Sequence, residues 1–345
     1  MNATIARVKS TYLTATAIVV AAFLAPGAAT AAPAASTVDY VALGDSYASG
    51  LGAGGETGTC KVSQGAYATL WAAGAPEAVT LTQKSCAGAT TVDVAGQLAA
   101  LNDKTDLVTL TIGGNDLALL SAVRLCADPA QAQACAAKLA EIERLLTTEL
   151  PGRLDGLFKA VKTAAPKAKL AVLGYALPFE GAESCSRLPL PKTVRDFGDK
   201  AVTGLNAALR AQATAAGATY VDVTKPFAGH GLCSTAPWLI GVEGLNAGTT
   251  LHPSAQGQTQ GYLAALTAAV GTPQEFLAGL EPPAASPSPS ASPSPSPTKA
   301  PGAGGGLPVT GVNVWWLVGI GTALLLVGAV LFRVLRPRRI HTLTP

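Results

Sequence analysis

Short apolar runs recur through the middle of the chain, and helix-like stretches separate them. The runs are Val38–Leu43, Ala78–Thr82, Leu107–Ile112, Leu170–Leu173 and Tyr220–Val223. Between them, Gln131–Thr147 is rich in Ala, Leu, Lys and Glu, while Gly152–Thr163 and Lys192–Ala216 keep apolar residues three and four apart. Pro253 to Ala269 reads as a last helix. Strands that alternate with helices specify an α/β fold with a mainly parallel sheet covered on both faces. Ligands bind such sheets outside the carboxyl ends of the strands, so chemistry is sought there.

The segments outside this region have a different character. Arg7 and Lys9 precede an apolar run from Tyr12 to Pro26, and Ala29-Thr30-Ala31 places small residues after it. That order is a secretory signal peptide over residues 1–31. Residues 282–306 are mostly Pro, Ser, Ala and Gly. Such a linker buries too little apolar surface to offset its ordering entropy. Leu307-Pro308-Val309-Thr310-Gly311 follows, then Val312–Phe332, 21 residues without a charge, then a basic tail over 333–345 with Arg333, Arg336, Arg338 and Arg339. The uncharged stretch is long enough to cross a bilayer, and the arginines place the tail in the cytoplasm.

These segments carry the positive charge. The chain has 24 Lys and Arg against 21 Asp and Glu. Without residues 1–31 and 311–345 the count is 18 against 21, a net of −3. The basic excess therefore lies outside the folded region, which argues against nucleic-acid binding. Six cysteines remain: Cys60, Cys86, Cys126, Cys135, Cys185 and Cys233. An even number in an exported chain points to disulfides, with the pairing left open by sequence. No ligand cluster for a metal and no cofactor motif is visible, and no cysteine pair has the spacing of a zinc knuckle.

Four pieces carry candidate chemistry. The first apolar run leads into Gly44-Asp45-Ser46-Tyr47, a turn that presents a serine hydroxyl above the sheet. Leu107–Ile112 leads into Gly113-Gly114-Asn115-Asp116, where an amide can donate to a developing oxyanion. Cys86-Ala87-Gly88-Ala89-Thr90 follows the second run and offers a glycine N–H. Leu251-His252-Pro253-Ser254 sets an imidazole just before the last helix, with the proline as its expected start.

Taken together and in this order, the four pieces resemble the GDSL or SGNH hydrolase family, over about Thr37 to Gly271. The likeness is closest to its secreted actinobacterial esterase and lipase branch, which Phe227-Ala228-Gly229-His230-Gly231-Leu232-Cys233 also resembles. The resemblance implies a three-layer, flavodoxin-like fold with five strands in a catalytic domain over 37–271. It implies ester hydrolysis with Ser46 as nucleophile and His252 as general base. It also implies an oxyanion hole from the N–H groups of Ser46 and Gly88 and the side chain of Asn115. From the same branch come disulfides Cys60–Cys86, Cys126–Cys135 and Cys185–Cys233. Residues 307–345 resemble the LPxTG cell-wall sorting signal of Gram-positive bacteria, in which a sortase cuts between Thr310 and Gly311 and joins the threonine to peptidoglycan.

One departure bears on mechanism. Most of the family carries an aspartate three residues before the histidine, and here Thr249 stands there. The expectation is a Ser46–His252 dyad, with the second ring nitrogen bonded to the backbone carbonyl of Thr249 or Thr250. Asp222 is the rival orienter, and His230 the rival base. Asp45 and Asp116 are expected to bond local N–H groups. The chain thus reads as a secreted, surface-anchored carboxylic-ester hydrolase, without cofactor, acting as a monomer on a lipid or an acylated glycan. The alternatives are an O-acetyl polysaccharide esterase, or a non-catalytic surface binding module on the same fold.

Overall fold

The computed structural model describes residues 37–244 and 248–280. The readings made for 1–31, 282–306, 307–311, 312–332 and 333–345, with Thr310 and Gly311, lie outside the described residues. Among the described residues no helix is long and apolar enough to cross a membrane.

Five strands form one sheet: β1 (Val38–Gly44), β2 (Val79–Gln83), β3 (Leu107–Thr111), β4 (Lys169–Leu173) and β5 (Thr219–Val221), in the order β2-β1-β3-β4-β5. Every pairing is parallel, which makes the sheet fully rather than mainly so. The helices are α1 (Ser46–Ser49), α2 (Tyr67–Ala72), α3 (Thr91–Gln97), α4 (Leu119–Cys126), α5 (Ala132–Thr148), α6 (Leu150–Ala164), α7 (Lys192–Ala215), α8 (Thr224–Phe227), α9 (Ala264–Val270) and α10 (Pro273–Leu280).

The period-two alternation of a strand divides the core into two layers. On β1, Tyr40 and Ala42 pack with Tyr67, Trp71, Tyr262 and Leu266 on one face. Val41 and Leu43 pack with Val94, Leu154, Phe158 and Leu205 on the other. Two polar residues inside β3 are satisfied by tyrosines from the first layer. Thr109 Oγ1 meets the Tyr40 hydroxyl at 2.8 Å, and Thr111 Oγ1 meets that of Tyr67 at 3.1 Å. Burying those hydroxyls without partners costs on the order of 1–3 kcal/mol each.

The last helix differs from its expected form. Pro253 does not begin it, because residue 253 is held in an antiparallel bridge with Leu239. The helix starts at Ala255 and passes through a π-helical stretch, Gly257–Leu263, before α9. The fold also continues past Gly271, with Phe276 of α10 packed edge-on against Trp71 at 5.9 Å between ring centroids. Disulfides join Cys60 to Cys86, Cys126 to Cys135 and Cys185 to Cys233.

The ends of β1 and β3 are pressed together. Gly44 lies opposite Thr111 in the register, with a φ of 121°, and a Cβ there would run into the Thr111 carbonyl. Gly44→Ala must move one of the two strand ends, at a cost of about 3 kcal/mol. For a domain of this size that is a fall in Tm of roughly 6–12 °C. Calorimetry checks it, and an unchanged Tm would mean that the strand ends do not meet as described.

Candidate active site

The nucleophile candidate is placed by what surrounds Gly44. Gln97, at the end of α3, grips that glycine through both amide atoms: its Oε1 accepts from Gly44 N at 2.8 Å and its Nε2 donates to Gly44 O at 2.9 Å. Asp45 then caps α1, its Oδ1 accepting from Tyr47 N at 2.9 Å. Ser46 is the first residue of this one-turn helix and is 5% exposed.

His252 comes from the other end of the domain to meet it. Its Nε2 lies 2.7 Å from Ser46 Oγ, and its Nδ1 lies 3.2 Å from the Thr250 carbonyl. A carbonyl can only accept, so Nδ1 carries the proton and Nε2 is left to accept from the serine hydroxyl. Thr250 is fully buried and tied to the Gly241 carbonyl through its own hydroxyl at 3.1 Å. The loop is laced to residues 238–240 by Leu251 N to Ile240 O at 2.7 Å, Ile240 N to His252 O at 3.0 Å, and Ser254 N to Trp238 O at 2.8 Å. Burial holds the imidazole down to about 4, because a desolvated imidazolium is penalised more than its carbonyl contacts restore.

Gly88 and Asn115 arrive at the same cleft. Gly88 has a φ of 86°, a left-handed conformation that favours glycine, with open space where a Cβ would stand. Its loop is fastened on both sides. Cys86 is bonded to Cys60, and Cys86 N donates to Gly44 O at 2.9 Å. At the far side Thr91 donates to Asp116 through its N–H at 3.0 Å and its hydroxyl at 2.6 Å. Asp116 thus departs from the expectation of local N–H bonds and braces the Gly88 loop from 25 residues away. Asn115 gives one amide hydrogen to the Ala89 carbonyl at 3.0 Å. Its second amide hydrogen is available to a ligand.

The rivals are placed elsewhere. Asp222 bonds Arg210 at 3.0 Å and Thr224 at 2.6 Å. His230 stacks on Trp238 at 3.7 Å, with Nδ1 at 2.8 Å from the Ala236 carbonyl. Asp45 keeps its local bond to Tyr47 N, and its second oxygen accepts from the Tyr175 hydroxyl, a contact that no sequence spacing signals. Burial raises Asp45 to about 7 against these hydrogen bonds. Gln97 and Gln258 were also missing from the sequence reading, since a helical glutamine carries no local mark of a tertiary partner. Gln258, in the π-helical stretch, bonds Tyr67 N and Tyr47 O, each at 3.0 Å.

A cavity of about 320 Å³ opens beside Ser46 and His252. Gly88, Asn115 and Tyr175 line it near the serine. Its walls are apolar: Leu119, Leu120 and Val123 of α4, Leu139 and Ile142 of α5, and Val194, Phe197 and Val202 of α7. Among the described residues no group of three or more His, Cys, Asp and Glu is placed to hold a metal ion.

Comparison with known proteins agrees with this architecture. The GDSL-like lipase/acylhydrolase family matches residues 42–260. Lipase 1 of Streptomyces coelicolor is 42% identical over 249 residues, 70% of this chain and 91% of that relative. The crystal structure of the extracellular lipase of Streptomyces rimosus superimposes with a TM-score of 0.64 at 39% identity, over 68% of this chain and 100% of that one. That of phospholipase A1 from Streptomyces albidoflavus does so with a TM-score of 0.61 at 35% identity, over 68% and 100%. The fold is that of the SGNH hydrolases, the protein is an ester-hydrolysing enzyme, and the chain belongs to the GDSL-like lipase/acylhydrolase family.

Proposed function

We propose that the chain is a secreted carboxylic-ester hydrolase of the lipase or esterase kind that works with a Ser46–His252 dyad. The observation that carries this reading is the 2.7 Å contact between Ser46 Oγ and His252 Nε2, with Nδ1 turned to the Thr250 carbonyl. Ser46 Oγ attacks the ester carbonyl carbon while its proton passes to His252 Nε2. The oxyanion takes hydrogen bonds from the N–H groups of Ser46 and Gly88 and from Asn115 Nδ2. The imidazolium then protonates the leaving alcohol, and water repeats the sequence on the acyl-enzyme. With a carbonyl in place of an acid, the tautomer is set but the imidazolium receives less charge stabilisation. Burial adds to this cost: it keeps the resting base neutral by disfavouring the same imidazolium.

The apolar walls supplied by α4, α5 and α7 support an acyl chain as the group bound beside the serine. A short acetyl group on a glycan would leave those walls unused. Secretion draws support from the signal-like residues 1–31 and from the relative described as extracellular. The order of Leu307–Gly311, an uncharged stretch and a cluster of arginines supports anchoring through sortase to peptidoglycan on the cell surface.

Three measurements test these readings. In a profile of kcat/KM against pH, the acid limb falls near pH 4, since the rate is lost as His252 gains a proton. Asn115→Ala lowers kcat on the order of 100-fold without moving that limb. A limb near the ordinary histidine value would sink the buried neutral base. Secondly, Val123→Trp fills the cavity: activity on p-nitrophenyl laurate and palmitate drops on the order of 10-fold while that on the acetate is kept. Equal loss on all chain lengths would place the acyl group elsewhere. Thirdly, digestion of the cell wall releases the protein, and Thr310→Ala diverts it to membrane or medium. Wild-type protein extracted by detergent alone would refute sortase processing.

A further inference from the structure

Among the described residues Leu251 is one of four non-glycine residues with a left-handed backbone, with a φ of 65°, and it stands next to His252. A leucine pays for that conformation with about 1 kcal/mol or more. Its position explains why it is there. Thr250 and His252 flank it, and the Thr250 carbonyl turns back to meet the ring two residues ahead only because the chain reverses at Leu251. The left-handed residue is thus what brings the accepting carbonyl under Nδ1.

Something must hold Leu251 in that state. Its N–H is taken by Ile240 O at 2.7 Å, on the side facing residues 238–240. Its carbonyl is taken from the opposite side by the hydroxyl of Tyr47, which donates at 2.6 Å across 204 residues of sequence. Tyr47 is the next residue after Ser46 on α1. Its ring lies 5.2 Å from the His252 ring and 4.8 Å from that of Tyr175, and its backbone carbonyl is held by Gln258 Nε2 at 3.0 Å. Burial, with the Asp45 charge nearby, keeps the phenol protonated and therefore a donor. One side chain, attached to the nucleophile's own helix, grips the peptide that precedes the base.

We infer that Tyr47 is a positioning residue that holds Leu251 left-handed and so fixes His252 on both sides, its Nε2 at Ser46 and its Nδ1 at the Thr250 carbonyl. Its hydroxyl is spent on the Leu251 carbonyl, so it acts through the loop. This rests on the dyad reading above.

The test removes the hydroxyl and then supplies the missing constraint by other means. Tyr47→Phe keeps the ring and its packing. It lowers kcat on the order of 10-fold with KM unchanged, because misplacing a catalytic group affects the reacting step rather than acyl binding. Leu251→Asn, added to Tyr47→Phe, restores most of kcat, since asparagine adopts the left-handed conformation readily and needs no clamp. Rates are taken per mole of protein with the wild-type circular dichroism spectrum. An unchanged kcat in Tyr47→Phe overturns the inference, and so does a loss that Leu251→Asn leaves in place, which would make the tyrosine merely structural. Ser46→Ala is measured beside them. Activity surviving in that variant defeats the dyad reading itself and is told apart from either result.

Discussion

The pairing of β1 with β3 sets where Ser46 and Asn115 come together at the cleft. The two strands run in parallel register from Tyr40 opposite Leu107 to Gly44 opposite Thr111. Because they end level, the turn after each is delivered to the same edge: Asp45-Ser46 from one, Gly113-Gly114-Asn115 from the other. The Asp45 N–H is still bonded to the Thr111 carbonyl at 2.9 Å, so the ladder reaches the residue before Ser46. Gln97 and Cys86 both bond Gly44, which links the Gly88 loop and α3 to that strand end. His252 must be brought from far along the chain.

Desolvation decides the chemistry once these groups meet. Ser46, Asp45, Thr250 and His252 are each under a tenth exposed. Removing water pushes the imidazole towards neutrality and the Asp45 carboxyl towards protonation. Both shifts oppose the appearance of charge in the resting site. Hydrogen bonds aimed at a developing oxyanion are stronger in such surroundings than in water. A carbonyl partner for Nδ1 suits this setting, since it orders the ring without adding a second buried charge whose solvation would have to be replaced.

The sheet was legible because its three central strands, β1, β3 and β4, are buried on both faces, and such largely apolar runs stand out against amphipathic helices. All five are where those runs lie, although β5 stops at Val221, and Asp222 beyond it accepts from Thr224 and Arg210. The start of the last helix was misplaced for a tertiary reason: Pro253 suits a helix start, yet the bridge to Leu239 takes it. The π-helical stretch had no local signal, for its role is to aim Gln258 at Tyr67 and Tyr47. In the cleft, the residues on turns that follow strands were readable, and their supports were not. Asp116, Gln97 and Tyr175 act on partners 25, 53 and 130 residues away, a distance at which spacing carries no information.

Much of the cavity wall has a different origin from the residues proposed to react. Ser46, Gly88 and Asn115 follow sheet strands, whereas α4 and α5, which complete the wall with α7, form a hairpin outside the sheet, clipped by Cys126–Cys135. In the function proposed above, the head and the tail of a bound ester are therefore read by separately built parts. Sequence drift in the hairpin can retune which tails fit while the machinery that cleaves the head is left alone. A fold arranged this way can diversify its diet without relearning its reaction.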